Sequence, residues 1–229
     1  MANTAGNAYG LTALIPIKNG VSDGVSFDKQ VRDQLQQWPK HAASPMAKVP
    51  NTYLCRFYLL NDVFFQGFPA TEEHLNSKYL VYETNFHGDR DNYLRLAWDH
   101  AQNDWQCLLR HCVAFSEVKS AMDFVDYIKR CQINNNLYFN GSNDKSLAEQ
   151  RKALFLKQSL AHFCFLTQEF QRQGELGAKR LQYAFEKYQA YAQPDNLVEP
   201  SWPLAAVIEP SELESDIAAI VAHAKETIQ

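Results

Sequence analysis

The chain has 229 residues, of which 46% are hydrophobic and 13% aromatic, with a formal net charge of −4. Such a composition excludes a disordered polymer, and no cluster of Lys and Arg supplies the basic footprint of a nucleic-acid binder. Five cysteines, an odd count without a C-x-x-C pair, fit reduced thiols, and the absence of a secretory leader or a ~20-residue apolar run predicts a soluble, cytoplasmic chain without membrane insertion.

Residues 1–10 are small and polar and read as a loose tail. Leu11–Lys18 is an apolar strand closed by Asn19-Gly20. Ser26 caps a helix with apolar residues at Phe27, Val31, Leu35 and Trp38, ended by Pro39. Tyr53–Phe65 reads as a strand, or two strands bent at Asn61-Asp62, and Thr71–Asn76 as a short helical turn.

Tyr79–Phe86 alternates so that Leu80, Tyr82, Thr84 and Phe86 form the more apolar, core-facing side. Asp89 caps a helix whose stripe runs through Leu94, Ala97, Ala101, Trp105, Leu108 and Cys112. A second helix covers about Ser120–Cys131, and Leu137-Tyr138-Phe139 forms a short strand. Ser146 and Glu149 have the spacing of a capping box and open a long helix to Leu166. Gly174 and Gly177 punctuate the chain before a helix through Tyr191. A Pro-rich linker, 194–210, precedes a terminal helix opened by Ser211–Glu214, whose apolar face must dock on its own domain or on a partner.

The order strand, helix, strand, strand, helix, extra helix, strand is the split βαβ order of the ferredoxin-like fold. The expected fold class is α+β: an antiparallel sheet with helices on one face over residues 1–172, and a C-terminal helical extension over 173–229. One sheet face is left bare, and two copies pairing those faces about a two-fold axis would form a dimeric α/β barrel; a homodimer is therefore expected.

NTYLCRFYLL, YLVYETNFHGDRDNYL, LLRHC and NNLYFNG, followed by the Ser-x-x-Glu helix, resemble a bacterial family of uncharacterised activity. The resemblance spans Leu11 to Thr167. It implies a ferredoxin-like or dimeric α/β-barrel fold in the neighbourhood of dye-decolorizing peroxidases and barrel monooxygenases. His87 stands where that family more usually has Asp, and Thr84 where it has Ser. The distal Gly-x-x-Asp-Gly segment of the peroxidases is missing, and no histidine is assignable as an axial ligand. No cofactor is expected, with haem as the alternative.

Candidate ligand-binding residues are Arg56, Asn85, His87, Asp89 and His111, expected around a small organic or anionic ligand between sheet and helices. Arg56 lies within an apolar strand and must pair, snorkel or meet an anion; Glu83 on the neighbouring strand is the expected pairing partner. Asp89 reads first as a helix cap, and His87 beside it as a turn residue or a proton-transfer group. His111 sits where a helix C-terminus favours a charged imidazole, and its neighbour Cys112 cannot form a nucleophile–base pair with it by spacing alone. No His spacing matches a zinc site, and no phosphate-binding glycine loop occurs. Beside ligand binding stand two further functional classes: an oxidative enzyme, haem-dependent or cofactor-free, and a non-catalytic assembly partner using the terminal helix.

Overall fold

The computed structural model describes residues 3–40, 43–63, 67–68, 74–141, 145–192 and 212–229. They form two compact units, Met1–Leu147 and Ala148–Gln229. The helix opened after Ser146 falls almost wholly in the second of these units.

In the first unit, β1 (Thr4–Ala5) and β2 (Ala8–Ile17) precede a small hairpin of β3 (Val21–Ser22) and β4 (Val25–Ser26). Asp23 and Gly24 both take positive φ at its turn, as a two-residue type I′ connection requires. Helix α1 (Phe27–Gln37), strands β5 (Thr52–Leu60) and β6 (Lys78–His87), helices α2 (Arg90–Leu109) and α3 (Ala121–Cys131), and strand β7 (Gln132–Ile133) follow. The sheet runs β1-β2-β6-β5, and β7 also pairs β2; every pairing is antiparallel.

Two expectations change here. From Asn3 on, the expected loose tail is ordered into the sheet: Ala8 is fully buried, the Asn3 carbonyl accepts from the Gly10 N–H, and the Asn7 carbonyl accepts from the Gly88 N–H. Nor is Leu137–Phe139 a strand. Pairing with β2 is taken by Gln132–Ile133 at Thr12–Ala13. Asn135 then leaves the ladder, its N–H donating to Asn3 Oδ1 at 2.7 Å and its side-chain amide to the Gly10 carbonyl. Leu137 and Phe139 emerge more than 80% exposed.

Period-two alternation places Leu11, Ala13 and Ile15 of β2 and Leu80, Tyr82 and Phe86 of β6 in one core with Leu94, Ala97, Trp98, Trp105 and Leu108 of α2 and Phe124 and Ile128 of α3. This is the face expected from the alternation of β6. Thr84, the polar member of that face, is satisfied by the Tyr93 hydroxyl at 3.0 Å, which also meets Thr52. Helix α2 kinks at Ala101, and the Ala97 carbonyl, which a regular helix would pair with the Ala101 N–H, accepts the Trp105 indole at 3.0 Å.

The second unit holds α4 (Leu147–Leu166), a 3-10 turn at Gln168–Arg172, α5 (Gly174–Tyr191) and α6 (Glu212–Thr227). Phe155, Phe163, Phe170, Tyr188, Leu213 and Ile217 are among the residues of its own core. The terminal helix thus spends its apolar face within its own unit. Gly174 has φ +60 and breaks the path into α5, whereas Gly177 lies inside that helix. The linker 194–210, Ser211 and the Thr71–Glu73 part of the expected helical turn lie outside the described residues. No described helix is long and apolar enough to cross a membrane.

Candidate functional site

Register decides which candidate residues meet. Arg56 of β5 stands opposite Glu83 of β6, which stands opposite Thr12 of β2; one step along, Leu54, Asn85 and Gly10 form the next row. Both rows lie on the sheet face turned away from α2 and α3, because their neighbours in sequence, Phe57, Tyr82, Thr84 and Leu11, face the helical layer. Arg56 and Asn85 therefore do not line a space between sheet and helices, as expected from the sequence; the alternation of the strands sends them to the opposite side.

On that open face the expected ion pair is formed. Arg56 Nε donates to Glu83 Oε2, and the Tyr58 hydroxyl donates to Glu83 Oε1 at 2.9 Å. Both carboxylate oxygens are occupied, so the guanidinium brings little net charge to its surroundings. The Tyr138 ring lies over Gly10, where an added Cβ would come within 2.7 Å of it; only glycine admits this approach. Asn135 holds the same segment in place through the Gly10 carbonyl.

A cleft of about 320 Å³ results, bounded by Thr12, Arg56, Glu83, Asn85, Asn135 and Tyr138 among others. Among the described residues, the side-chain amide of Asn85 has no hydrogen-bond partner, so it is available to whatever enters. The sequence reading missed Thr12, Asn135, Tyr138 and Gly10. The only signal for Asn135 and Tyr138 is the NNLYFNG run, which shows polarity and aromaticity but not which strand the run covers; Gly10 and Thr12 carry none.

The other candidates are elsewhere. His87 ends β6 on the same side as Asn85, outside the residues that bound the cleft. Its Nδ1 is 2.9 Å from the Tyr53 hydroxyl, which donates its proton to the Lys145 carbonyl at 2.7 Å. The Tyr53 oxygen therefore accepts from His87 Nδ1–H, leaving Nε2 as the acceptor of the neutral ring. Asp89 is a helix cap, accepting from the Asn92 N–H at 2.9 Å.

His111 lies at the far end of the sheet. Its carbonyl accepts from the Lys18 N–H beyond β2, and its ring stacks on Phe27 at 4.3 Å. The expected charged imidazole is not favoured: burial first, then Arg110 and Lys18, lower its pKa below the ordinary value. Arg110 Nε donates to His111 Nε2, which needs a lone pair there. His87 pairs with the first residue of the ten-residue β2 and His111 lies beyond its last, so the two sit at opposite ends of a strand about 30 Å long and do not share a site. Cys112 is fully buried and its thiol is pushed up to about 12, so it is protonated at neutral pH and poorly nucleophilic.

No grouping of three or more His, Cys, Asp or Glu suited to a metal ion occurs among the described residues. Comparison with protein-family models, with curated proteins and with solved structures yields no match.

Proposed function

We propose that the first unit is a ferredoxin-like domain that binds a small polar organic ligand in the cleft on its open sheet face, in a cytoplasmic protein. The strand sequence β2-α1-β5-β6-α2-β7 with spatial order β7-β2-β6-β5 supports the ferredoxin-like description. It also fits the bacterial dimeric α/β-barrel family that the sequence resembles. The observation that carries the binding function is the cleft itself: a concave site with convergent, chemically distinct polar groups on a rigid sheet.

Arg56 and Glu83 offer a donor and an acceptor locked together, and Asn85 offers both from one amide. Such a lining selects a ligand of low net charge with several hydrogen-bonding groups over a free anion. The residues that bound the cleft include neither histidine nor cysteine, and neither His87 nor His111 is among them, so the proposed binding does not rely on haem. The proposed binding is cofactor-free.

A second copy of the chain is the proposed cover. Leu54 and Tyr58 are 54% and 44% exposed on the open face, and Ile133, opposite Thr12 toward the far edge of that same face, is 43% exposed. Pairing two such faces about a two-fold axis buries them and closes the cleft.

Mass spectrometry of the gently purified protein is expected to reveal a small bound molecule that is lost in Asn85→Leu and Glu83→Gln. Retention of the same molecule by both variants would overturn the proposed site. Sedimentation is expected to give a dimer that Tyr58→Asp converts to monomer; a wild-type monomer at micromolar concentration would remove the second copy.

A further inference from the structure

A separate groove of about 390 Å³ runs between α1 and β5, on the edge of the sheet. Its apolar lining is Leu35 of α1 with Phe57 and Leu59 of β5; Arg32 and Lys40 stand at its helical side. Two features mark it as a surface built to receive something.

The first is the strand. β5 is last in the sheet order, so among the described residues its outer edge has no strand partner. From Leu54 to Leu60, beyond the irregularity at Tyr53, alternate N–H and C=O groups point away from β6 along that edge. The second is charge. Nearby cations are paired: Lys29 with Asp33, Lys48 with Asp104, Lys78 with Asp28. Arg32 and Lys40 have no ion pair among the described residues, in a chain of net charge −4.

We infer that this groove binds an extended peptide segment carrying a carboxylate side chain, which adds to β5 as a further strand. The peptide backbone meets the outward N–H and C=O groups of β5. Side chains on its helix-facing side alternate over Leu35, Phe57 and Leu59, and an Asp or Glu among them meets Arg32 or Lys40. Main-chain hydrogen bonds supply affinity in this mode, and the pockets for alternate side chains supply specificity. Tyr58, which borders the groove and donates to Glu83, is the one residue shared with the open-face site; Arg32, Lys40, Leu35, Phe57 and Leu59 belong to the groove alone, so charge variants at Arg32 and Lys40 leave the open-face ligand's contacts in place.

The test is selection from a phage-displayed library of random octapeptides on the full-length protein, followed by fluorescence anisotropy with the winning peptide. Selected peptides are expected to share an acidic position. Affinity is expected to fall by about tenfold or more in the Arg32→Glu, Lys40→Glu double variant and to weaken with added salt. Methylating alternate peptide nitrogens should abolish binding in one phase and spare it in the other. Both substituted side chains are exposed; the Arg32→Gln, Lys40→Gln pair serves if charge reversal disturbs folding, and it is expected to weaken binding in the same direction. Failure to enrich any peptide, binding indifferent to the charge variants, or binding indifferent to N-methylation would overturn the inference. So would self-association of the protein that the same charge variants abolish, because a second copy would then own the groove.

Discussion

Glu83 is held from two sides on the open face of the sheet: Arg56 stands directly across from it in register and donates to one carboxylate oxygen, and the hydroxyl of Tyr58 donates to the other at 2.9 Å. Arg56 is about two-thirds exposed, so water screens the pair. Exposed pairs contribute at most ~1 kcal/mol to folding. Glu83→Gln and Arg56→Ala are therefore expected to shift chemical unfolding by less than that amount while reducing ligand retention sharply. Unfolding by several kcal/mol with retention intact would make the pair structural.

Gly177 presents a different case. It is helical, and replacing a helical glycine by alanine ordinarily stabilises by roughly 0.5–1 kcal/mol. Here an added Cβ would run into the carbonyl of Phe170, a backbone atom that cannot swing aside. Gly177→Ala is expected to destabilise the second unit by about 1–3 kcal/mol, measured by urea unfolding followed through helical circular dichroism. A gain in stability would show that the 3-10 turn before α5 relaxes freely.

The Tyr138 ring over Gly10 gives a related prediction at the cleft. Gly10→Ala must displace that ring, since the new methyl would lie 2.7 Å from it. Tyr138 is a flexible side chain, so the expected outcome is a folded protein with a widened cleft and weakened ligand binding. Unaltered binding would mean that Tyr138 is no part of the site.

His111 predicts a pH dependence. Burial, with Arg110 and Lys18 nearby, lowers its pKa in the folded protein, so folding favours the neutral ring. The unfolded chain then binds more protons between the two pKa values, and stability rises with pH there. His111's contribution is complete above the ordinary histidine value of about 6.5 and is lost as pH falls through the folded value. Imidazole titration by NMR should place His111 below a histidine in the unfolded chain. A value above it would reinstate the charged, helix-end role.

Asp62 predicts the acid limb. The His74 imidazole, reinforced by the Leu75 and Val63 N–H groups, brings its carboxyl down to about 2. That contribution is present above the ordinary carboxylate range and disappears as pH falls toward 2. In His74→Ala the Asp62 titration, followed by carboxyl NMR, should move upward by a measurable fraction of a unit. No movement would leave the backbone donors as the sole cause.

Several elements were legible because local and global preferences agree. The alternation of Leu80, Tyr82, Thr84 and Phe86 identifies the core face of β6, and Asp89 caps α2 as its residue type suggests. The Arg56–Glu83 pair follows from setting an arginine in an otherwise apolar strand beside an acid on its neighbour. Other features depend on contacts distant in sequence. Asn85, His87 and Asp89 are close along the chain, but one joins a sheet-face cleft, one is tied to Tyr53, and one caps a helix. His111 looks like a helix-end cation until Phe27 and Arg110 are seen against it. Leu137–Phe139 has strand composition, yet Asn3 and Gly10 draw Asn135 out of the ladder just before it.

Amide-shift mapping on the isotopically labelled full-length protein, titrated with small amides, hydroxy acids and polyols, examines the open-face cleft most directly. Perturbations are expected at Gly10, Thr12, Leu54, Glu83 and Asn135, all bordering that cleft. Perturbations gathered instead around Tyr93 and Trp105, beneath the other face of the sheet, or no perturbation at the five named positions, would contradict it.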